Sequence, residues 1–85
     1  MIDQYREQIS ALDRDLLETV NRRLALVREL HEYKLAEGLP LRDLDRELEL
    51  VRTLQEANAG PLSADGVTAF FRFLLDLTRA ELHGD

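Results

Sequence analysis

The sequence predicts an all-α fold of three helices, and three observations carry that prediction. Two short breaks, "AEGLP" at 36–40 and "NAGPLS" at 58–63, hold both prolines together with Gly38 and Gly60. No stretch alternates polar and apolar residues over the length of a strand. The segment from 2 to 36 has neither Gly nor Pro, a length that only a helix uses without interruption. The helices expected are therefore roughly 2–36, 43–58 and 63–82.

The first segment, at 1.5 Å per residue, would run ~50 Å, too long for one small globule. Ile2, Ile9, Leu16 and Leu30 recur at heptad spacing, and Tyr5, Leu12, Leu26 and Tyr33 form a second row. Such a stripe packs against another helix, and self-association is the plain expectation. The second segment opens with "RDLDRE" (42–47), a dense cluster of charge just where a loop becomes a helix. Asp43 in this position reads on its own as an N-cap in solvent. The third segment follows the candidate N-cap Ser63. Val67, Phe70, Phe71, Leu74, Leu75 and Thr78 make its apolar stripe.

Composition narrows the chemistry. The 85 residues form a single domain, 1–85, with little surface to bury alone, so a partner chain is expected. There is no cysteine, which removes disulfides and thiolate metal sites and favours a reducing, cytoplasmic setting. No apolar run reaches membrane-spanning length, and the N-terminus lacks the basic-then-apolar pattern of a signal peptide. Eleven Lys and Arg against seventeen Asp and Glu give a net charge of −6, which argues against nucleic acid as a partner. An anionic ligand must then be held by local cations.

Such cations are present. Arg23 takes the slot between Leu16 and Leu30, where the stripe calls for an aliphatic residue, and a charge there needs a partner or must snorkel to the edge. Lys34 follows eleven residues later, about three turns and ~16 Å along the axis, on nearly the same face. Arg6 is ~25 Å from Arg23 and ~42 Å from Lys34, so it joins them only from an antiparallel partner helix. Taken singly, Arg6 and Lys34 read as solvated face charges, and only the combination is informative.

That combination carries a resemblance. "REQISALDRDLL" opening the long helix, "NRRLALVRELHEYK" closing it, and "RDLDRE" after the break resemble the all-helical AroQ class of chorismate mutases over nearly the whole chain. The resemblance implies a homodimer of intertwined three-helix subunits, with active sites shared between chains. Its implied activity is the rearrangement of chorismate to prephenate in aromatic amino acid biosynthesis, without cofactor or metal. By the same resemblance Arg23 and the partner's Arg6 would bind the two carboxylates, and Lys34 would reach the ether oxygen whose bond breaks. Glu47 would accept a hydrogen bond from the ring hydroxyl, with Asp43 and Arg46 lining or supporting the site. Of the adjacent arginines in "NRRL", only Arg23 fits the stripe.

The third helix departs from the family pattern. Thr78 stands where the family often has a serine that touches a carboxylate, and Thr78 reads equally as a hydroxyl bonded to its own helix. Four residues on, where the family presents a glutamine or glutamate to the ether oxygen, this chain has Leu82, which cannot donate. Glu81 beside it is the expected substitute, and it would have to carry a proton to donate. His31 and His83 are expected on the surface, since they are too far apart on the chain to pair on a metal. Two other readings remain. One is a non-catalytic dimeric regulatory module, against which Arg23 in the stripe argues. The other is a same-fold relative such as an isochorismate pyruvate lyase, against which Glu47 argues, since it suits a hydroxyl donor. Fusion or complex formation with another shikimate-pathway enzyme is the further partner expected.

Overall fold

The structure is a computed structural model, and it describes residues 1–83. It contains α1 (Ile2–Glu37), α2 (Leu44–Ala57) and α3 (Ala64–His83). Each expected helix is present, shifted by no more than about one residue at either end. The chain divides into two units, residues 1–39 and the part from Pro40 onward.

The first unit is α1, 36 residues and ~54 Å long. It ends where Gly38 turns left-handed at φ 69°, a conformation that costs glycine nothing. The Leu39 amide returns to the Lys34 carbonyl at 2.9 Å, closing the helix at that lysine. No residue of α1 is buried. Ile2, Tyr5, Ile9 and Leu12 are each more than half exposed, so the heptad rows lie open along its N-terminal half. The half-buried residues are Val20, Arg23, Leu24, Val27, His31 and Lys34, which share an arc of about 100° at 100° per residue. The first expected row runs along this arc to Arg23 at its edge, whereas Leu26 and Tyr33 of the second row lie outside it and stay exposed, and His31 is half-buried rather than on the surface. A heptad row drifts ~20° per repeat around a straight α-helix, so the second row starts near the edge of this arc at Tyr5 and moves off it toward Tyr33.

The second unit packs α2 on α3. Asp43 is the α2 N-cap, its Oδ1 accepting the Arg46 amide at 3.0 Å. Asn58 shapes the α2–α3 link: its amide donates to the Leu62 carbonyl at 2.6 Å, and its Oδ1 accepts the Gly60 amide at 3.0 Å. The Ser63 hydroxyl caps α3 by accepting the Gly66 amide at 3.0 Å. Gln55 ties the two helices, donating to the Thr68 hydroxyl at 2.5 Å. Among the described residues only Val67, Leu74 and Thr78 are buried. Phe71 and Leu75 are half-buried, whereas Phe70 is exposed at 41 % and forms an edge-to-face pair with Phe71. Phe70 lies ~60° from Val67 around α3, on the side away from Leu75, which takes it off the packed centre of the stripe. No helix among the described residues is long and apolar enough to cross a membrane.

Candidate active site

The candidate residues fall into two sets. Arg6, Arg23 and Lys34 lie on α1. Of the six Lys and Arg residues on that helix, Arg23 and Lys34 alone are half-buried, and the other four are exposed. Eleven residues at 100° bring the two to within ~20° of one face, ~16 Å apart along the axis. Two long cations so spaced on one face can reach a small dianion between them. Arg22 points away and is exposed, paired with Glu18 one turn earlier at 2.5 Å. Arg6 stands ~42 Å from Lys34 on the same continuous helix, so one α1 cannot bring these two together. Lys34, in the last turn, also meets the negative end of the helix dipole.

The second set lies on α2 and α3. The Glu47 side chain is 20 % exposed. Arg42 Nε donates to its Oε2 at 3.1 Å, and Arg79 Nη1 donates to its Oε1. Arg79 is itself held one turn back on α3 by Asp76, which accepts from Nη2. Burial pushes the Glu47 carboxyl up, but the hydrogen bonds and positive charge of Arg42 and Arg79 outweigh it, leaving the carboxyl below its ordinary value. Glu47 lines a cavity of about 310 Å³ in which Leu48, Val51 and Leu75 supply apolar surface and Arg72 and Arg79 supply charge. An ionised acceptor beside apolar walls suits a ligand with a hydroxyl on a hydrocarbon ring.

Asp43 is engaged as the helix cap, and Arg46, whose amide that cap accepts, has an exposed side chain. Thr78 is buried, its hydroxyl donating to the Leu74 carbonyl at 2.7 Å. Leu82 is half-buried one turn beyond Thr78, on the flank that carries Leu75 and Arg79. Glu81 is exposed and lies ~160° around α3 from Arg79, on the flank of Phe70. No sequence pattern marks Arg42 or Arg79 as a site residue. The Asp76–Arg79 spacing of three is readable as a helix-surface pair, but Arg79 meets Glu47 across 32 residues, a separation that no local pattern signals. Among the described residues no group of three or more His, Asp or Glu could hold a metal ion.

Residues 5–82 match the family model described as chorismate mutase type II. The bifunctional chorismate mutase/prephenate dehydratase of Escherichia coli (strain K12) is 38 % identical over 72 residues, which cover 84 % of this chain and 19 % of that protein. The protein of the same name from Shigella flexneri matches equally. The chain thus spans about a fifth of the length of these curated relatives. Among solved structures, chorismate mutase from Thermus thermophilus in form II aligns with a TM-score of 0.91 and 26 % identity, covering 99 % of this chain and 97 % of that one. Form I aligns at 0.88, also with 26 % identity, covering 91 % and 96 %.

Proposed function

Because the chain belongs to the type II chorismate mutase family, we propose that it rearranges chorismate to prephenate. The observation that carries this reading is the pair Arg23 and Lys34, the two half-buried cations of α1, aligned on one face. The reaction is a concerted intramolecular rearrangement. It needs no nucleophile or metal, only a site that folds the substrate and stabilises charge. Chorismate carries two carboxylates and prefers an extended form. Arg23, with Arg6 lent by a second copy of the chain, clamps the carboxylates with planar guanidinium forks and favours the folded conformer. As the C–O bond lengthens, negative charge grows on the ether oxygen, where the Lys34 ammonium stabilises the transition state more than the ground state. Glu47 accepts the ring hydroxyl and fixes the orientation of the ring. Asp43 and Arg46 shape the start of α2 around it, and Thr78 and Leu82 line the α3 side.

The ~42 Å between Arg6 and Lys34 supports a homodimer with shared sites, as does the open apolar stripe of α1. We place the reaction in the cytoplasm. The curated relatives join this domain to a prephenate dehydratase, so an enzyme that consumes prephenate is the partner we propose, fused or in complex. The test is to mix the purified chain with chorismate, follow loss of its ultraviolet absorbance and identify the product. Prephenate is expected. Unchanged chorismate would refute catalysis, and conversion of isochorismate with release of pyruvate would point to a lyase instead.

A further inference from the structure

Glu47 is held in place by two guanidinium groups from different elements. Arg42 approaches Oε2 from the loop before α2, and Arg79 approaches Oε1 from α3. Asp76 in turn fixes Arg79, giving a chain Arg42–Glu47–Arg79–Asp76. A carboxylate oxygen has two lone-pair directions, so each Glu47 oxygen keeps one for a further donor after its arginine is satisfied. Arg79, 33 % exposed on its side chain, is among the residues lining the apolar cavity beside Glu47. A carboxylate with free rotation would sample several orientations. This one is tethered through both oxygens.

We propose that Arg79 is a positioning residue of the site: together with Arg42 it fixes the Glu47 carboxylate so that one lone pair on it is aimed at the hydroxyl of the bound substrate. The proposal rests on the chorismate mutase reading for its substrate, but the tether itself does not. The lowered carboxyl of Glu47 agrees with it, because the two guanidinium groups favour the charged, accepting form against the effect of burial. The charged groups around Glu47 are Arg42 before α2, Asp43 and Arg46 at the α2 start, and Arg72, Asp76 and Arg79 on α3. Of these, Arg42 and Arg79 touch it. The sign follows. An acceptor that must be ionised loses its function as pH falls through its lowered value, and removing Arg79 moves that loss to higher pH.

The experiment uses the full chain labelled with carbon-13 at glutamate carboxyls, with the Glu47 signal assigned by its disappearance in Glu47→Gln. In Arg79→Ala the Glu47 titration should move upward by more than about half a pH unit, and Arg79→Lys, which keeps a cation, should fall between it and the unaltered chain. With chorismate, kcat/KM of Arg79→Ala should fall about tenfold or more at neutral pH, with its acid limb shifted upward by the same amount as the carboxyl. Arg79→Lys should recover part of the rate. If Arg79→Ala does not fold, Arg79→Met, which keeps the apolar stem, provides the same measurement. A Glu47 titration unchanged in the Arg79 variants would overturn the proposal. So would a shifted titration with undiminished kcat/KM. If no variant and no unaltered chain converts chorismate, the functional reading fails while the titration still judges the tether.

Discussion

Shared sites can be tested by mixing two defective chains. In the proposed dimer Arg6→Ala would remove the cation that a site receives from the second copy, and Lys34→Ala one that the site supplies itself. Along one α1 these residues lie 28 positions apart, ~42 Å at 1.5 Å per residue, whereas two extended side chains together span only roughly 12–14 Å. Neither residue can serve the same site as the other within one chain. In a heterodimer of the two variants one site therefore carries both lesions and the other carries neither. Random pairing of equal amounts makes half of the dimers mixed, each with one intact site of two, so about a quarter of the unaltered activity should return. The assay is chorismate consumption after co-expression of the two chains with different affinity tags, with tandem purification to isolate the mixed dimer. That isolated species should show about half the activity of the unaltered dimer per mole of dimer. Mixed dimers no more active than the two parents would refute the sharing of sites.

Arg23→Ala and Lys34→Ala should each lower kcat/KM at least a hundredfold, about 2.7 kcal/mol, with helical content retained; a loss within tenfold, ~1.4 kcal/mol, would remove that residue from the machinery. Asp43→Ala removes the α2 cap and should cost about 1 kcal/mol of stability, lowering the thermal midpoint by roughly 4–8 °C for a domain of this size; an unchanged midpoint would show that the cap hydrogen bond contributes nothing net. Leu82→Gln should raise kcat/KM by supplying a neutral donor to the ether oxygen while Glu81→Ala leaves it unaltered, whereas a marked loss in Glu81→Ala would place Glu81 at the site despite its position on the far flank of α3.

The helices were legible because their signals are local. Gly38 is where the chain needs a positive φ to stop α1, Asp43 and Ser63 are caps that act within three residues, and Arg23 stands out because it breaks an apolar row. The half-buried arc within a single α1 is a separate matter from the heptad rows, which are read as a seam toward a second chain. Of the two heptad rows the first runs through the slot of Arg23 and the second through Leu26 and Tyr33, while Val20, Leu24, Val27 and His31 are the half-buried companions of Arg23 and Lys34. A helix of 3.6 residues per turn rotates away from a seven-residue row by ~20° per repeat, which takes the second row from the edge of the arc at Tyr5 to well outside it at Tyr33. The tether on Glu47 was hidden for a different reason. It joins residues 32 apart, and such pairs exist only after α3 has packed on α2. Spacing alone puts Phe70 in the stripe, but it falls at the stripe's edge and is 41 % exposed.

Each unit by itself suits a different part of the proposed reaction, and the reason is what each can hold. A long helix with no buried residue can present cations at intervals of several turns, because each long side chain reaches its ligand while its stem covers apolar neighbours. It offers a carboxylate only partners three or four residues away on its own surface, as Glu18 has in Arg22. Glu47 gains its fixed position because α2 and α3 pack together and bring arginines from two directions onto one group. The cations of α1 need reach and spacing, which a helix provides alone. The acceptor needs orientation, which takes tertiary contacts. A reaction that proceeds by conformational restriction and charge stabilisation requires both, so the proposed catalysis depends on the α2–α3 packing as directly as on the lysine that meets the breaking bond.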